Sequence, residues 1–146
     1  MTTRININAV EPAAYKAMYA LEVYLQGSKL TTIQKELIKI RASQLNGCAF
    51  CINMHTSDAL AAGETSQRIF LLNAWKETNL FTEEEKVMLA MTEEITLLPK
   101  AGLSEETYRR AARLFDEQTI AQIIIAIVTI NGWNRIAVST NLPVAG

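Results

Sequence analysis

Reactive side chains are scarce in this chain: two cysteines and one histidine among 146 residues. Two cysteines close together make a poor structural staple in a reducing compartment, where such a pair is redox-active or binds metal. No excess of one charge exists either. A formal net charge of -1 leaves no electrostatic footprint for nucleic acid, and no basic run is present to seek an anionic lipid surface. The longest apolar run, Ile123–Ile130, falls far short of the ~18 residues of a membrane span. Met1–Val10 lacks the charged-then-apolar order of a signal peptide. Neither repeats nor low-complexity segments occur. These absences lead to the expectation of one soluble, cytoplasmic domain over residues 1–146, with no nucleic-acid or membrane partner.

What is abundant is apolar residues and helix punctuation. Hydrophobic residues make up 49% of the chain, enough to suggest that another subunit covers part of the surface. Pro12 suits the first turn of a helix that runs through Ala13–Gln26 and stops at Gly27. Thr31 with Gln34 forms a capping box for a second helix carrying Ile33, Leu37 and Ile40, ending at Asn46-Gly47. A third helix is expected from about Cys48 to Gly63, and a short fourth through Arg68–Trp75. Thr82 with Glu85 caps a fifth, reaching Leu98 before Pro99, and Ser104 caps a sixth to about Leu114. Ile123–Val128 has the composition of a buried strand, but no comparable strand exists to pair with it. The last segment is therefore predicted as a buried helix over Thr119–Asn131, with a further turn or two around Trp133–Ser139. The expected fold class is all-α.

Both cysteines and the histidine fall within eight residues, Cys48-Ala49-Phe50-Cys51-Ile52-Asn53-Met54-His55. At ~100° per residue, Cys48, Cys51 and His55 lie within about 60° of one another on a helix. The spacing permits a disulfide across one turn and places the imidazole beside the second thiol. Thiolate is the reactive form, and a helix N-terminus and a neighbouring imidazole both favour it. If the second and third helices form an antiparallel hairpin turning at Asn46-Gly47, residue 36 lies opposite roughly residue 57, about one turn from His55. Glu36 then joins the group as a partly buried carboxylate in a proton relay, although it could also pair with Lys39 on a solvated face. A zinc site with Glu36 as fourth ligand is the competing reading of the same residues.

Glu36, eleven residues, Cys48-x-x-Cys51, three residues and His55 together resemble the active-site motif of the alkyl hydroperoxidase D-like (AhpD-like) proteins of the carboxymuconolactone decarboxylase family. Similar stretches include Leu37–Ser43, Asn46-Gly47, Met54-His55-Thr56 with Asp58, Ala62–Thr65, Ala90–Glu93 and Asn131–Ala137. The resemblance implies a helical fold assembling as a homo-oligomer, a trimer or hexamer. It implies thiol-dependent reduction of hydroperoxides or protein disulfides, re-reduction by an external dithiol or protein reductant, and no metal or organic cofactor. It further implies that Cys51 attacks and Cys48 resolves, whereas the helix-dipole argument alone favours Cys48. Phe50 departs from the best-known members, which carry histidine between the cysteines, so a relay through that histidine cannot operate here.

Three further residues are candidates for supporting roles. Asp58, one turn past His55, could orient its ring. Glu93 and Arg135, if buried, would need partners and could serve each other. Trp75, Trp133 and the Met88/Met91 stripe are expected in the core or a subunit interface. The helices carrying Met88, Met91 and Ile123–Val128 are expected to supply apolar burial between subunits. Two other functions compete with the reductase: a lyase using Glu36 and His55 as acid and base, and a non-catalytic oligomeric redox-sensing module.

Overall fold

A computed structural model describes residues 2 and 4–144, and among them every regular element is helical. A single turn, α1 (Ile7–Val10), is capped by Asn6 and leads through Glu11 into α2 (Pro12–Gln26), whose first residue is the expected proline. The capping box of Thr31 and Gln34 opens α3 (Thr32–Asn46). Gly47, at φ 65°, closes it in the left-handed conformation that glycine adopts without steric cost. The chain then reverses into α4 (Ala49–Ala61), making the α3–α4 hairpin. Thr65 caps α5 (Ser66–Leu71), which tightens into a 3₁₀ turn over Leu72–Glu77. The Thr82–Glu85 capping box starts α6 (Glu83–Thr96), with Glu83, Glu84 and Glu85 complementing its dipole. Ser104 caps α7 (Glu105–Leu114), and Asp116 caps α8 (Glu117–Thr140).

At the centre lies α3, packed against α4, α6 and α8. Its apolar residues point two ways. Ile38 and Ala42 join Met88, Met91, Ile123 and Ile127 in one core cluster, while Leu37 and Ile40 join Ala59, Leu72, Trp75 and Leu89 in a second. A helix buried on two faces has little room for charge, so the charges it does carry must be partnered inside the fold. Each fully buried Ile or Leu contributes about 1.5–3 kcal/mol. Between α5 and α6, Arg68 is clamped by Glu64 and Glu85, donates to the Leu80 carbonyl and lies 4.6 Å from the Phe81 ring centre.

Several expectations need correction. The last helix does not break near Asn131 but runs unbroken to Thr140. An Asn-Gly pair ordinarily ends a helix. Here the Asn131 amide donates to Thr96 Oγ1 and the Ile127 carbonyl, and both Asn131 and Asn134 accept from Asn46 of α3. Asn134 also donates to Ser43 Oγ. Gly132 sits where α2 crosses: a Cβ there would meet the Met18 methyl at 2.7 Å. Tertiary partners thus hold together a helix that local propensity would end. Unbroken, α8 becomes long and apolar enough to cross a membrane by length and composition, but half of that window is buried in the bundle. The expected fourth helix is half 3₁₀, with a kink at Ala74. Met88, Met91, Ile123 and Ile127 are buried within the single chain, so they are unavailable to a neighbouring subunit, whereas Val128 is half exposed.

Candidate functional site

The hairpin brings the motif residues together. Cys48 is not inside α4 but caps it, its Sγ accepting the Cys51 N–H at 3.3 Å. Cys51 and His55 follow on the first and second turns of α4. The two sulfurs are bonded to one another, with Cα atoms 5.4 Å apart, inside the range a disulfide spans. Both cysteines are almost fully buried, in a small cluster with Ala137 and Phe50.

From α3, Glu36 reaches His55: its Oε2 accepts from Nδ1 at 2.9 Å. A carboxylate on Nδ1 fixes the proton there and leaves Nε2 with the lone pair. The other Glu36 oxygen, Oε1, accepts from Lys39 Nζ at 3.3 Å. The Glu36–Lys39 pair is therefore present, but on a buried face rather than a solvated one, with 8% and 14% of the side chains exposed. Burial pushes the Glu36 carboxyl up. The hydrogen bond from His55 and the charge and hydrogen bond of Lys39 pull it down further, so it stays below the usual carboxylate value and is an anion at neutral pH.

Lys39 is shared. Its Nζ lies 3.5 Å from Glu22 Oε2 on α2, and the other Glu22 oxygen accepts from Trp133 Nε1 on α8. A continuous polar chain thus runs His55–Glu36–Lys39–Glu22–Trp133 and ties four helices. It borders a cavity of about 380 Å³, whose walls include Tyr15, Tyr19, Phe50, Met54 and Trp133. Cys51 and His55 line this cavity; Cys48 does not. Sequence reasoning did not single out Glu22, Tyr15 or Tyr19, because they lie on a helix remote in sequence from the motif and carry no spacing signal. Lys39 did have one, its i+3 position from Glu36.

The supporting candidates separate. Asp58 lines the cavity, but its Oδ2 is 3.8 Å from His55 Nδ1 and mostly solvated, so Glu36 rather than Asp58 orients the ring. Glu93 and Arg135 do not serve each other. Glu93 is held by Arg41, Trp75 Nε1 and Lys76, while Arg135 donates to the carbonyl and side chain of Asn131. Burial pushes the Glu93 carboxyl up, and those three donors pull it net below its usual value. Neither residue borders the cavity. Among the described residues, Glu36, His55 and Asp58 present donor atoms within 4.8 Å of one another, chemically a possible metal set. Lys39, against the same carboxylate, places a positive charge where a cation would have to bind.

Comparisons with known proteins agree with this architecture. The model of the carboxymuconolactone decarboxylase family matches residues 12–94, a span that includes Glu36, both cysteines and His55. The uncharacterized protein YdfG of Bacillus subtilis is 43% identical over 139 residues, 95% of each chain. A crystal structure of a protein of unknown function from Agrobacterium tumefaciens, described as a candidate AhpD antioxidant-defence protein, superposes with a TM-score of 0.95. It has 37% identity, and 99% of both chains is covered. The debrominase Bmp8 shares the fold alone, at a TM-score of 0.85 and 19% identity, over 94% of this chain and 74% of its own. With more than half its length in the family model and near-complete overlap with an AhpD-type structure, the chain belongs to the carboxymuconolactone decarboxylase family as an AhpD-like protein.

Proposed function

We propose that this protein is a thiol-dependent peroxidase in which Cys51 attacks the oxidant, Cys48 resolves, and His55 with Glu36 moves the proton. One observation carries the reading: of the two cysteines, only Cys51 lines the cavity, and it shares that wall with His55, whose Nδ1 is tied to Glu36. A general antioxidant role is the coarser conclusion that the family and its peroxidase-related members support.

In the reduced protein, His55 Nε2 takes the Cys51 thiol proton, and the Glu36 anion stabilises the resulting imidazolium. The Cys51 thiolate attacks the distal oxygen of ROOH. The O–O bond breaks, Cys51 becomes a sulfenic acid, and RO⁻ takes a proton to leave as ROH. Cys48 then displaces hydroxide from the sulfenic sulfur, giving the Cys48–Cys51 disulfide and water. To reset, one thiolate of an external dithiol attacks the Cys51 sulfur from the cavity, and Cys48 leaves as thiolate. The second thiol of the dithiol then displaces Cys51. Cys48 is suited to leave because its sulfur accepts an N–H at the α4 N-terminus. The helix-dipole argument thereby keeps a place: it favours Cys48 as leaving group rather than as attacker.

Deep burial of both sulfurs favours a small oxidant over a protein disulfide, which could not reach them without local opening. The sulfur pair also argues against the lyase reading, which has no use for it. No resident cofactor is required by this scheme. The test is mass spectrometry after a brief peroxide pulse. Cys48→Ser should accumulate sulfenic or over-oxidised Cys51, and Cys51→Ser should show no oxidised intermediate at Cys48. The reverse pattern would exchange the roles, and no oxidation in either variant would end the peroxidase reading.

A further inference from the structure

Charge in the cavity is arranged in a way that the peroxidase chemistry itself does not require. Its walls are largely aromatic and aliphatic, from Tyr15, Tyr19, Phe50, Met54 and Trp133. A volume of about 380 Å³ lies inside the usual range of about 300–1,000 Å³ for sites that hold a small organic molecule. Hydrogen peroxide needs no such room. The charged groups on the walls are Glu22, Lys39 and Asp58, besides His55. Among the described residues on the walls, Lys39 is the lone fixed cation, and it is already engaged by two carboxylates, Glu22 at 3.5 Å and Glu36 at 3.3 Å. Glu22 is itself held in place by Trp133 Nε1 at 3.1 Å. Counting Glu36 behind the wall, the described site carries three carboxylates and one ammonium, so it is net anionic apart from any charge on His55.

Building on the peroxidase reading, we infer that the cavity selects an uncharged organic hydroperoxide carrying an apolar ring or branched group and rejects hydroperoxides that bear a carboxylate. Glu22 sets the selection. By pairing with Lys39 alongside Glu36, it engages the one fixed cation that the described walls offer to a substrate carboxylate, and it adds a like charge to the wall. An uncharged ring has no such conflict and covers Tyr15, Tyr19 and Trp133 from water. The relay and the specificity device therefore share Lys39: one of its partners serves His55, and the other filters the substrate.

The experiment uses a matched pair, cumene hydroperoxide and its para-carboxylate, with hydrogen peroxide as a third oxidant that reads the chemistry alone. Each kcat/KM is normalised to the reaction of the same oxidant with free cysteine thiolate. The neutral member should be preferred by about tenfold or more at low salt, with the preference shrinking as salt rises. Glu22→Gln keeps an acceptor for Trp133 but releases Lys39, and should narrow the preference several-fold. A second arm does not depend on turnover. Titration with cumyl alcohol and with its para-carboxylate, read on the ring signals of His55, the chain's one histidine, should show tighter binding of the neutral alcohol. Equal or reversed preference in both arms overturns the inference even if hydrogen peroxide is reduced normally. Failure to reduce any oxidant, with the neutral alcohol still bound preferentially, overturns the peroxidase reading and leaves the cavity's selectivity standing.

Discussion

Replacing Glu36 with Gln tests the relay at its buried end. Gln keeps the shape and an oxygen that can accept from His55 Nδ1, so what is lost is the charge. With Oε2 2.9 Å from Nδ1, the centres of the carboxylate and an imidazolium lie about 4 Å apart, worth about 4 kcal/mol at an effective dielectric of about 20. That is an upper figure, because Lys39 at 3.3 Å from the other oxygen already cancels part of the field. Retaining one-third to two-thirds of it leaves about 1.4–2.8 kcal/mol, a 10- to 100-fold loss in the rate of thiolate formation and attack. The assay is stopped-flow oxidation of the reduced protein by hydrogen peroxide, followed by tryptophan fluorescence, since Trp133 lines the cavity. Lys39 keeps Glu22 as partner, so the variant should melt as one folded unit. A folded variant within about twofold of wild type would remove Glu36 from the relay. A loss beyond about 10⁴-fold would mean that it does more than steady a charge.

Arg68→Met leaves Glu64 and Glu85 buried without their shared guanidinium and should cost about 3–5 kcal/mol in urea unfolding; a loss below about 1 kcal/mol would place the cluster with ordinary surface pairs. Acid should weaken the fold through Glu36 and Glu93, whose native carboxyls lie below the ordinary value of 4.5. Their contribution is complete above that value, declines as pH falls towards the depressed native pKa values, and is gone below them. Glu93→Gln should therefore flatten the urea midpoint between pH 5 and the onset of acid unfolding, and an unchanged slope would contradict the burial-and-donor account. Light scattering should give a trimer or hexamer, with exposed Val23, Tyr24 or Phe70 available to supply the contact that the inward-facing Met88 and Met91 cannot; a monomer at micromolar concentration would refute the assembly.

Local chemistry made much of this protein readable from its sequence. Pro12, the Thr31–Gln34 and Thr82–Glu85 boxes and Gly47 mark helix ends because caps satisfy backbone groups within three or four residues, with no help from the rest of the fold. The hairpin followed from Gly47, and with it the approach of Glu36 to His55, since two antiparallel helices joined by a tight turn set their facing residues in register. Long-range partners decided the rest. Asn131-Gly132 reads as a stop until Thr96, Asn46 and Met18 arrive from three other helices to hold α8 together. Arg41, Trp75 and Lys76 take Glu93, which no spacing could announce. The cavity is also a tertiary product: α2 and α8 carry Tyr15, Tyr19, Glu22 and Trp133 to the cysteine pair at the start of α4, and that packing puts Cys51, but not Cys48, in the cavity wall. Short-range hydrogen bonding writes itself into sequence as fixed intervals; a surface assembled from separate helices has no interval to leave behind.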